Sequence, residues 1–219
     1  EKHPPYLTMA LGAGSVTPMQ MAAGYSVFAN GGYRVNPFLI TKVTDQMGKV
    51  LSEFTPTPPD ESARAIDARN AFVMTSLLQE VTRSGTAARA QATLKRNDIY
   101  GKTGTTNDSM DAWFAGYHPT LTAVTWIGYD TPRKLGDRET GGGLSLPVWI
   151  SYMQHALEGV AIAEPAPPAG LSHEGGDWAY AEFSKGGGVS SLGLDSKAGN
   201  SEALPANDEK KKILDLFKN

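Results

Sequence analysis

Ile99–Thr106, which reads IYGKTGTT, is the segment from which the rest of this fold can be inferred. An apolar pair leads into Gly-Lys-Thr-Gly-Thr-Thr, a turn signal follows at residues 107–109, and two more strand-like runs occupy residues 111–117 and 121–129. Because the connections are short, the three strands are predicted to be antiparallel neighbours. A cation, hydroxyl groups and two glycines on one strand suit an anion held against exposed backbone.

The triplet Gly101–Thr103 also resembles the end of a nucleotide-binding phosphate loop, but its surroundings do not. That loop requires a glycine five residues before the glycine that precedes the lysine, and Arg96 occupies the position. A phosphate loop opens a helix, whereas a turn and a strand follow here. The sequence therefore does not favour a nucleotide site.

The composition limits the classes of function. The chain has 219 residues, 40% of them hydrophobic, which allows one domain with a core, or one domain and a tail. A net charge of −3 gives no basic footprint for nucleic acid, and the lack of cysteine excludes disulfides and thiolate chemistry. No apolar run is long enough to span a bilayer. Glu1–Pro5 has the character of an internal position in a longer polypeptide.

Helix signals frame the strands. Apolar residues recur at helical spacing in several segments, and most begin at a capping residue or end at glycine. The predicted helices start after Thr17, after Asp67 and near Ser145, with a short helix at 87–92 and a β-hairpin at 38–51. In the run 121–129 both faces carry apolar residues, which indicates a central strand covered by helices on each side.

The predicted fold class is α+β, with an antiparallel sheet covered by helices on both faces. We assign residues 1–160 to this domain and residues 161–219 to a Gly/Pro-rich tail with a short terminal helix at 208–217. Residues 164–206 are expected to be mobile, with the alternative that the aromatic side chains within them, Trp178, Tyr180 and Phe183, dock somewhere.

Five ordered sequence blocks resemble the class A, bifunctional penicillin-binding proteins. Lys102–Gly104 matches their K-T-G element, which Asp111–Tyr117 (DAWFAGY) follows. The other blocks are Ser15–Ala22 with Val27–Gly32, Gly85–Ala87, and Thr140–Gly142 leading to Leu146–Ile150. The resemblance runs from about residue 7 to 158, and its residues fit the C-terminal portion of a transpeptidase domain.

The resemblance implies a role for each residue of the central strand. Lys102 places a positive charge beside the free carboxylate of the substrate, and the Thr103 and Thr105 hydroxyls donate to it. Gly104 has no β-carbon, so the ligand can lie along the strand edge. The Thr105 backbone N–H supplies one oxyanion donor, and Thr106 extends the substrate-binding set.

The resemblance also implies an activity and a location. The expected enzyme is a serine-type D,D-transpeptidase that cross-links peptidoglycan stem peptides ending in D-Ala-D-Ala and binds β-lactams, with no cofactor. The longer protein would carry a glycosyltransferase domain and a membrane anchor N-terminal to this part. It would act at the periplasmic face of the bacterial inner membrane.

The catalytic serine of the family is missing from the sequence. The family places it in S-x-x-K, with a second element S-x-N, and no serine here has lysine three residues on or asparagine two residues on. The nucleophile is therefore none of these 219 residues, and we expect the chain alone to be inactive. Two alternatives remain: a non-catalytic module that binds peptide carboxylates, and a relative of β-lactamases or D,D-carboxypeptidases.

Other candidate residues have plainer interpretations. Trp113, Phe114 and Trp126 are expected in the core, and Asp111 either orients nearby backbone or lies in a surface turn. No two histidines have the spacing of metal ligands, so no metal site is predicted. The basic loop of Arg133, Lys134 and Arg138 is interpreted as solvated surface, with contact to acidic substrate groups as the alternative.

Overall fold

Three antiparallel strands form the centre of the computed structural model, which describes residues 14–184 together with Leu7, Met9 and Gly12. The helices are α1 (Pro18–Ala29), α2 (Ala68–Arg83), α3 (Arg89–Leu94) and α4 (Leu146–Ala156), and a π-helical turn, Gly141–Ser145, precedes α4. The strands are β1 (Lys42–Thr44), β2 (Val50–Glu53), β3 (Tyr100–Thr105), β4 (Ala112–His118), β5 (Leu121–Ile127), β6 (Leu171–Glu174) and β7 (Asp177–Tyr180). These elements lie in one compact unit that ends at Ala181.

The order of the central sheet is β3-β4-β5, so the predicted antiparallel neighbours are confirmed. The prediction that β5 is a central strand is wrong for the described residues, where β5 lies at an edge and β4 is in the middle. Apolar residues on both faces of a strand indicate that helices cover the sheet above and below it. They do not indicate whether another strand pairs with it on each side.

One face of the sheet packs against α3 and α4. Phe114 and Trp149 are fully buried and meet edge to face with ring centroids 4.8 Å apart. The Trp149 indole N–H also donates to the carbonyl of Ala123 in β5 at 3.0 Å. A β-carbon on Gly116 would lie 2.9 Å from the Trp149 ring, so glycine is required for this close approach.

The other face packs against α1 and α2. Tyr100, Tyr117 and Leu78 form its buried cluster, with Tyr25 against it. Thr75 donates to the Ala71 carbonyl at 2.8 Å, which leaves its oxygen free to accept from the Tyr117 hydroxyl, also at 2.8 Å. Burial raises the pKa of Tyr117 above its ordinary value. Helices on both faces of an antiparallel sheet confirm the predicted fold class.

Local signals fix the ends of the first two helices as predicted. Thr17 and Gln20 form a capping box at the start of α1, and the Asp67 carboxylate accepts from the Arg69 backbone N–H at the start of α2. The predicted hairpin is β1 and β2, whose turn is held by Asp45 through hydrogen bonds from the backbone N–H groups of Met47 and Lys49, both 2.9 Å. None of the described helices has the length and apolar character needed to cross a bilayer.

A cluster of Arg96, Asp98 and His118, which we call the latch, holds the chain that follows α4. Arg96 donates to both oxygens of the fully buried Asp98 carboxylate at 2.9 and 2.8 Å. It also donates to the carbonyls of Val160 and Ala161, while the Ala163 N–H donates to Asp98 at 2.8 Å. Burial by itself would raise the pKa of Asp98, but these hydrogen bonds hold that pKa below its usual value.

His118, at the end of β4, completes the latch. The Thr120 backbone N–H donates to Nδ1 at 3.2 Å, which makes Nδ1 an acceptor and assigns the ring proton to Nε2. Nε2 then donates to the Asp98 carboxylate at 3.0 Å. The Asp98 carboxylate is therefore surrounded by donors from three separate parts of the chain.

The prediction of a mobile segment over residues 164–206 is wrong for its described part, because β6 and β7 form an antiparallel hairpin. The alternative that its aromatic side chains dock is confirmed for Trp178 and Tyr180. Trp178 meets Phe72 of α2 edge to face at 5.1 Å, and the Arg69 guanidinium lies over the Tyr180 ring at 4.6 Å. These aromatic contacts supply the apolar burial that offsets the entropy lost when the segment becomes ordered. The average glycine and proline content of residues 164–206 does not reveal such individual contacts. The predicted terminal helix at 208–217 lies outside the described residues.

Candidate functional site

The K-T-G segment lies on an open edge of the sheet. β3 pairs with β4 on one side, with Lys102 opposite Ala115 and Gly104 opposite Trp113, and the described residues place no strand on its other side. Lys102 and Thr105 are exposed, while Thr103 and Gly104 are half-buried. The strand therefore presents a cation and two hydroxyls to solvent, as the sequence predicts.

Lys102 folds along its own strand. Its ammonium donates to the Thr103 carbonyl at 2.9 Å and lies 3.4 Å from the Thr103 hydroxyl oxygen. The positive charge is thus held next to the Thr103 hydroxyl, where both groups could reach one anion. Charge-assisted hydrogen bonds are roughly twice as strong as neutral ones, which suits this pair to a carboxylate.

Thr103 is supported by a residue that sequence reasoning did not assign to the site. The Thr86 hydroxyl oxygen, in the loop between α2 and α3, lies 2.7 Å from the Thr103 hydroxyl oxygen. The only sequence signal was the block Gly85–Ala87, which contributed to the family resemblance and carried no role. The contact joins positions 17 residues apart, so no local spacing could predict it.

Thr105 is held by the glycine-rich loop before α4. Its hydroxyl oxygen accepts from the Gly141 backbone N–H at 3.1 Å. A β-carbon on Gly141 would overlap the carbonyl oxygens of Gly104 and Trp113, so only glycine lets the loop come this close. Thr140 fixes the same loop, since its hydroxyl accepts from the Gly143 N–H at 3.1 Å.

Gly104 and Thr106 take part in the strand in ways that the sequence did not show. A β-carbon on Gly104 would lie 3.2 Å from that of Trp113, so cross-strand crowding also favours glycine here. The Thr106 hydroxyl accepts from the Asp111 backbone N–H at 2.7 Å and closes the turn after β3. A direct contact of Thr106 with substrate, like the oxyanion role of the Thr105 N–H, stays a prediction.

The Asp111 carboxylate contacts a side chain, whereas the predicted role was to orient nearby backbone. Its carboxylate accepts from the Trp126 indole N–H at 2.8 Å, next to the turn closed by Thr106. Phe114 is core as expected, Trp113 is half-buried, and Trp126 is partly exposed at the surface. The predicted core position is thus confirmed for Phe114 and wrong for Trp126, which lies on the edge strand β5.

The basic loop folds back onto the turn after β3. The Arg133 guanidinium lies 3.8 Å above the Tyr129 ring, and the Lys134 ammonium is 3.6 Å from the Asp108 carboxylate. The Leu135 N–H donates to the Ser109 carbonyl at 3.0 Å. Both partners of the Lys134 ion pair are largely exposed, so it contributes about 1 kcal/mol or less. The loop lies beside the candidate site, and its contact with substrate remains untested.

The described histidines, His118, His155 and His173, do not gather with acidic residues into a metal centre. His118 belongs to the latch, and within the described part of the chain no group of three histidine, cysteine, aspartate or glutamate residues could hold an ion. His155 lies on α4 with its Nδ1 2.9 Å from the Ser151 carbonyl.

Comparisons with known proteins place this geometry in context. The family model described as Penicillin binding protein transpeptidase domain matches residues 5–149. Penicillin-binding protein 1A of Neisseria flavescens is 47% identical over 175 residues, which is 80% of this chain and 22% of the relative. The Pseudomonas aeruginosa protein of the same name is 39% identical and covers 77% of this chain and 26% of the relative. The chain thus spans about a fifth to a quarter of the length of these relatives.

Solved structures agree in fold. The crystal structure of Penicillin-Binding Protein 1A from Haemophilus influenzae matches with a TM-score of 0.70 and 32% identity, covering 79% of this chain and 33% of that chain. The penicillin-binding protein PonA1 from Mycobacterium tuberculosis matches with a TM-score of 0.66 and 26% identity, covering 75% and 45%.

Proposed function

The chain belongs to the penicillin-binding protein transpeptidase family, and we propose that it forms the carboxylate-binding side of a serine-type peptidoglycan D,D-transpeptidase. The observation that supports this proposal is the open edge of β3, where Lys102 and Thr105 are exposed and the Lys102 ammonium lies next to the Thr103 hydroxyl. The substrate class is a stem peptide ending in D-Ala-D-Ala, whose free carboxylate is the anion to be held. β-Lactams with a carboxylate would bind at the same edge.

The residues of this chain would position the substrate. Lys102 offsets the carboxylate charge, and the two threonine hydroxyls donate hydrogen bonds that set the peptide along the strand. The Thr105 backbone N–H is then available as one donor to the oxyanion formed at the carbonyl under attack, a group whose removal typically costs 10²–10³ in rate.

The covalent steps require a serine outside these 219 residues. Its hydroxyl oxygen would form an ester with the penultimate D-alanine, while the terminal D-alanine leaves with the serine proton on its amine. An amine of a second peptide would then displace the serine, which regains a proton. We place the whole enzyme in the cell envelope, at the periplasmic face of the inner membrane, with a glycosyltransferase domain and a membrane anchor elsewhere in the same polypeptide.

Binding of a short peptide tests the carboxylate assignment. We expect an acylated D-Ala-D-Ala peptide with a free C-terminus to shift amide NMR signals of β3, and its C-terminal amide to bind at least about tenfold more weakly, a difference of ~1.4 kcal/mol. Lys102→Ala should remove this preference. Lys42→Ala is the matched control, because Lys42 is an exposed lysine that pairs with Glu53 on the hairpin of β1 and β2. Equal affinity for acid and amide would contradict the proposed function.

Labelling with a fluorescent penicillin tests the missing nucleophile. We expect no covalent adduct on the 219-residue chain, since neither serine motif of the family is present. Intact-mass spectrometry after overnight incubation measures this directly. An adduct of stoichiometric amount on any serine would show that the nucleophile lies within these residues.

A further inference from the structure

We propose that Thr86 is a positioning residue that fixes the Thr103 hydroxyl as a hydrogen-bond donor to the bound carboxylate. This assignment rests on the proposed function and adds a residue outside the K-T-G strand to the site. The contact that carries it is the 2.7 Å distance between the two hydroxyl oxygens.

The backbone around Thr86 is closely packed although its side chain is exposed. Ala87 is fully buried in the core cluster, and a β-carbon on Gly85 would lie 2.9 Å from the Val81 α-carbon. A β-carbon on Gly142 would lie 3.3 Å from the Thr86 carbonyl oxygen, so the loop before α4 confines Thr86 from another side. A hydroxyl on such a backbone can set the direction of its neighbour.

The hydrogen-bonding capacity of Thr103 decides which way the hydrogen bond between the Thr86 and Thr103 hydroxyls runs. A threonine hydroxyl has one hydrogen and two acceptor sites, whereas a lysine ammonium only donates. The Lys102 ammonium, 3.4 Å away, can fill one acceptor site of the Thr103 oxygen. If Thr86 donates to the second acceptor site, the Thr103 oxygen can accept no further hydrogen bond, and only the Thr103 hydroxyl hydrogen is available to a ligand.

A carboxylate favours this arrangement over the reverse one. In the reverse arrangement Thr103 donates to Thr86, and its hydrogen is no longer available to the ligand. A charge-assisted hydrogen bond is roughly twice as strong as a neutral one, so an arriving carboxylate selects the state in which Thr86 donates. A neutral amide would bring its own N–H donors to an oxygen that can no longer accept.

The same principle operates at Thr105. The Gly141 N–H occupies one acceptor site of the Thr105 oxygen and leaves its hydrogen free. Both hydroxyl oxygens of the site thus have a donor from another loop, Thr86 for Thr103 and Gly141 for Thr105, although at Thr105 one acceptor site stays open. This gives the edge of β3 a preference for ligands that only accept hydrogen bonds.

Replacement of Thr86 tests the assignment on the full chain. Thr86→Val keeps the shape and removes the hydroxyl, and we expect it to weaken binding of the free-acid D-Ala-D-Ala peptide about fivefold, as befits one hydrogen bond. Binding of the C-terminal amide should be unchanged. Thr86→Ser retains the hydroxyl and should restore the affinity for the acid. In a Thr103→Val background, Thr86→Val should have no further effect.

The outcomes separate this assignment from the proposed function. A parent chain without acid preference overturns both. A parent chain with acid preference, combined with unchanged binding by Thr86→Val, overturns the role of Thr86 alone. Equal weakening of acid and amide, or failure of Thr86→Ser to restore binding, would show a general structural effect and also overturn it. Should Thr86→Val not fold, Thr86→Ala is measured in its place against the same criteria.

Discussion

Replacement of Asp98 by asparagine should break the hydrogen bonds of the latch and lower the free energy of unfolding of the whole unit. The Asp98 side chain is 0% exposed, and its carboxylate accepts from Arg96, His118 and the Ala163 N–H. Asparagine has nearly the same shape but replaces one acceptor oxygen with an NH₂ donor. One oxygen of Asp98 faces Arg96 Nε and the other faces Arg96 Nη2, so either orientation of the amide sets a donor against a donor.

The size of the effect follows from burial. Removing one partner of a buried ion pair costs about 3–5 kcal/mol, because the remaining charge loses its compensation. The Arg96 side chain is only 11% exposed, so water cannot easily replace the carboxylate. With a urea slope of ~2 kcal/mol per molar, the midpoint of unfolding should fall by about 2 M.

Urea unfolding followed by tryptophan fluorescence measures this loss, and Glu158→Gln provides the control. Glu158 is exposed, so the same acid-to-amide change should alter stability by less than ~0.5 kcal/mol. Amide hydrogen exchange adds a local measurement, with faster exchange expected at Ala163 and in β6 and β7. A loss below about 1 kcal/mol for Asp98→Asn, within the range of a single neutral hydrogen bond, would refute the reasoning from buried charge.

Three more expectations concern acid, crowding and a buried hydroxyl. The pKa of Asp98 is lowered in the folded state, so its contribution to the free energy of unfolding should be complete above about pH 4, the ordinary aspartate value. That contribution should be lost as the pH falls further. In a series of unfolding curves at different pH, Asp98→Asn should lack this part of the acid transition. Gly141→Ala should lower the free energy of unfolding by ~1–3 kcal/mol, because the new β-carbon overlaps the Gly104 carbonyl oxygen, and it should weaken binding of the free-acid peptide. Unchanged unfolding and binding would contradict the close approach. Tyr117→Phe should lower the free energy of unfolding, measured by chemical denaturation, by only about 0.5–1.5 kcal/mol, because Thr75 keeps its hydrogen bond to the Ala71 carbonyl. A loss above ~3 kcal/mol would contradict this hydrogen-bond arrangement.

The sequence predicts the parts of this fold that depend on short-range order. The residues around Lys102 and the two runs after it form neighbouring strands because their turns are too short to allow another arrangement. Thr17 and Asp67 begin helices because their side chains satisfy free N–H groups at the first turn. These interactions span at most a few residues, and pattern reasoning can recognise them.

The missed features depend on distant residues. The latch joins Arg96 to carbonyls more than 60 positions later, at Val160 and Ala161, and no periodicity connects them. The support of Thr103 by Thr86 and of Thr105 by Gly141 likewise arises only when the loops meet over the sheet. The sequence therefore identified the strand that could bind an anion and left out the residues that direct its hydroxyls.

The hairpin of β1 and β2 has a practical consequence for work with this chain. Its apolar side chains are exposed, with Met47 at 93% and Leu51 at 62%, and within the described residues neither strand pairs with a third one. An exposed apolar strand with free backbone groups is a template for intermolecular pairing. Aggregation at high concentration should begin there, and a lysine in place of Leu51 should improve solubility without a change in the unfolding midpoint.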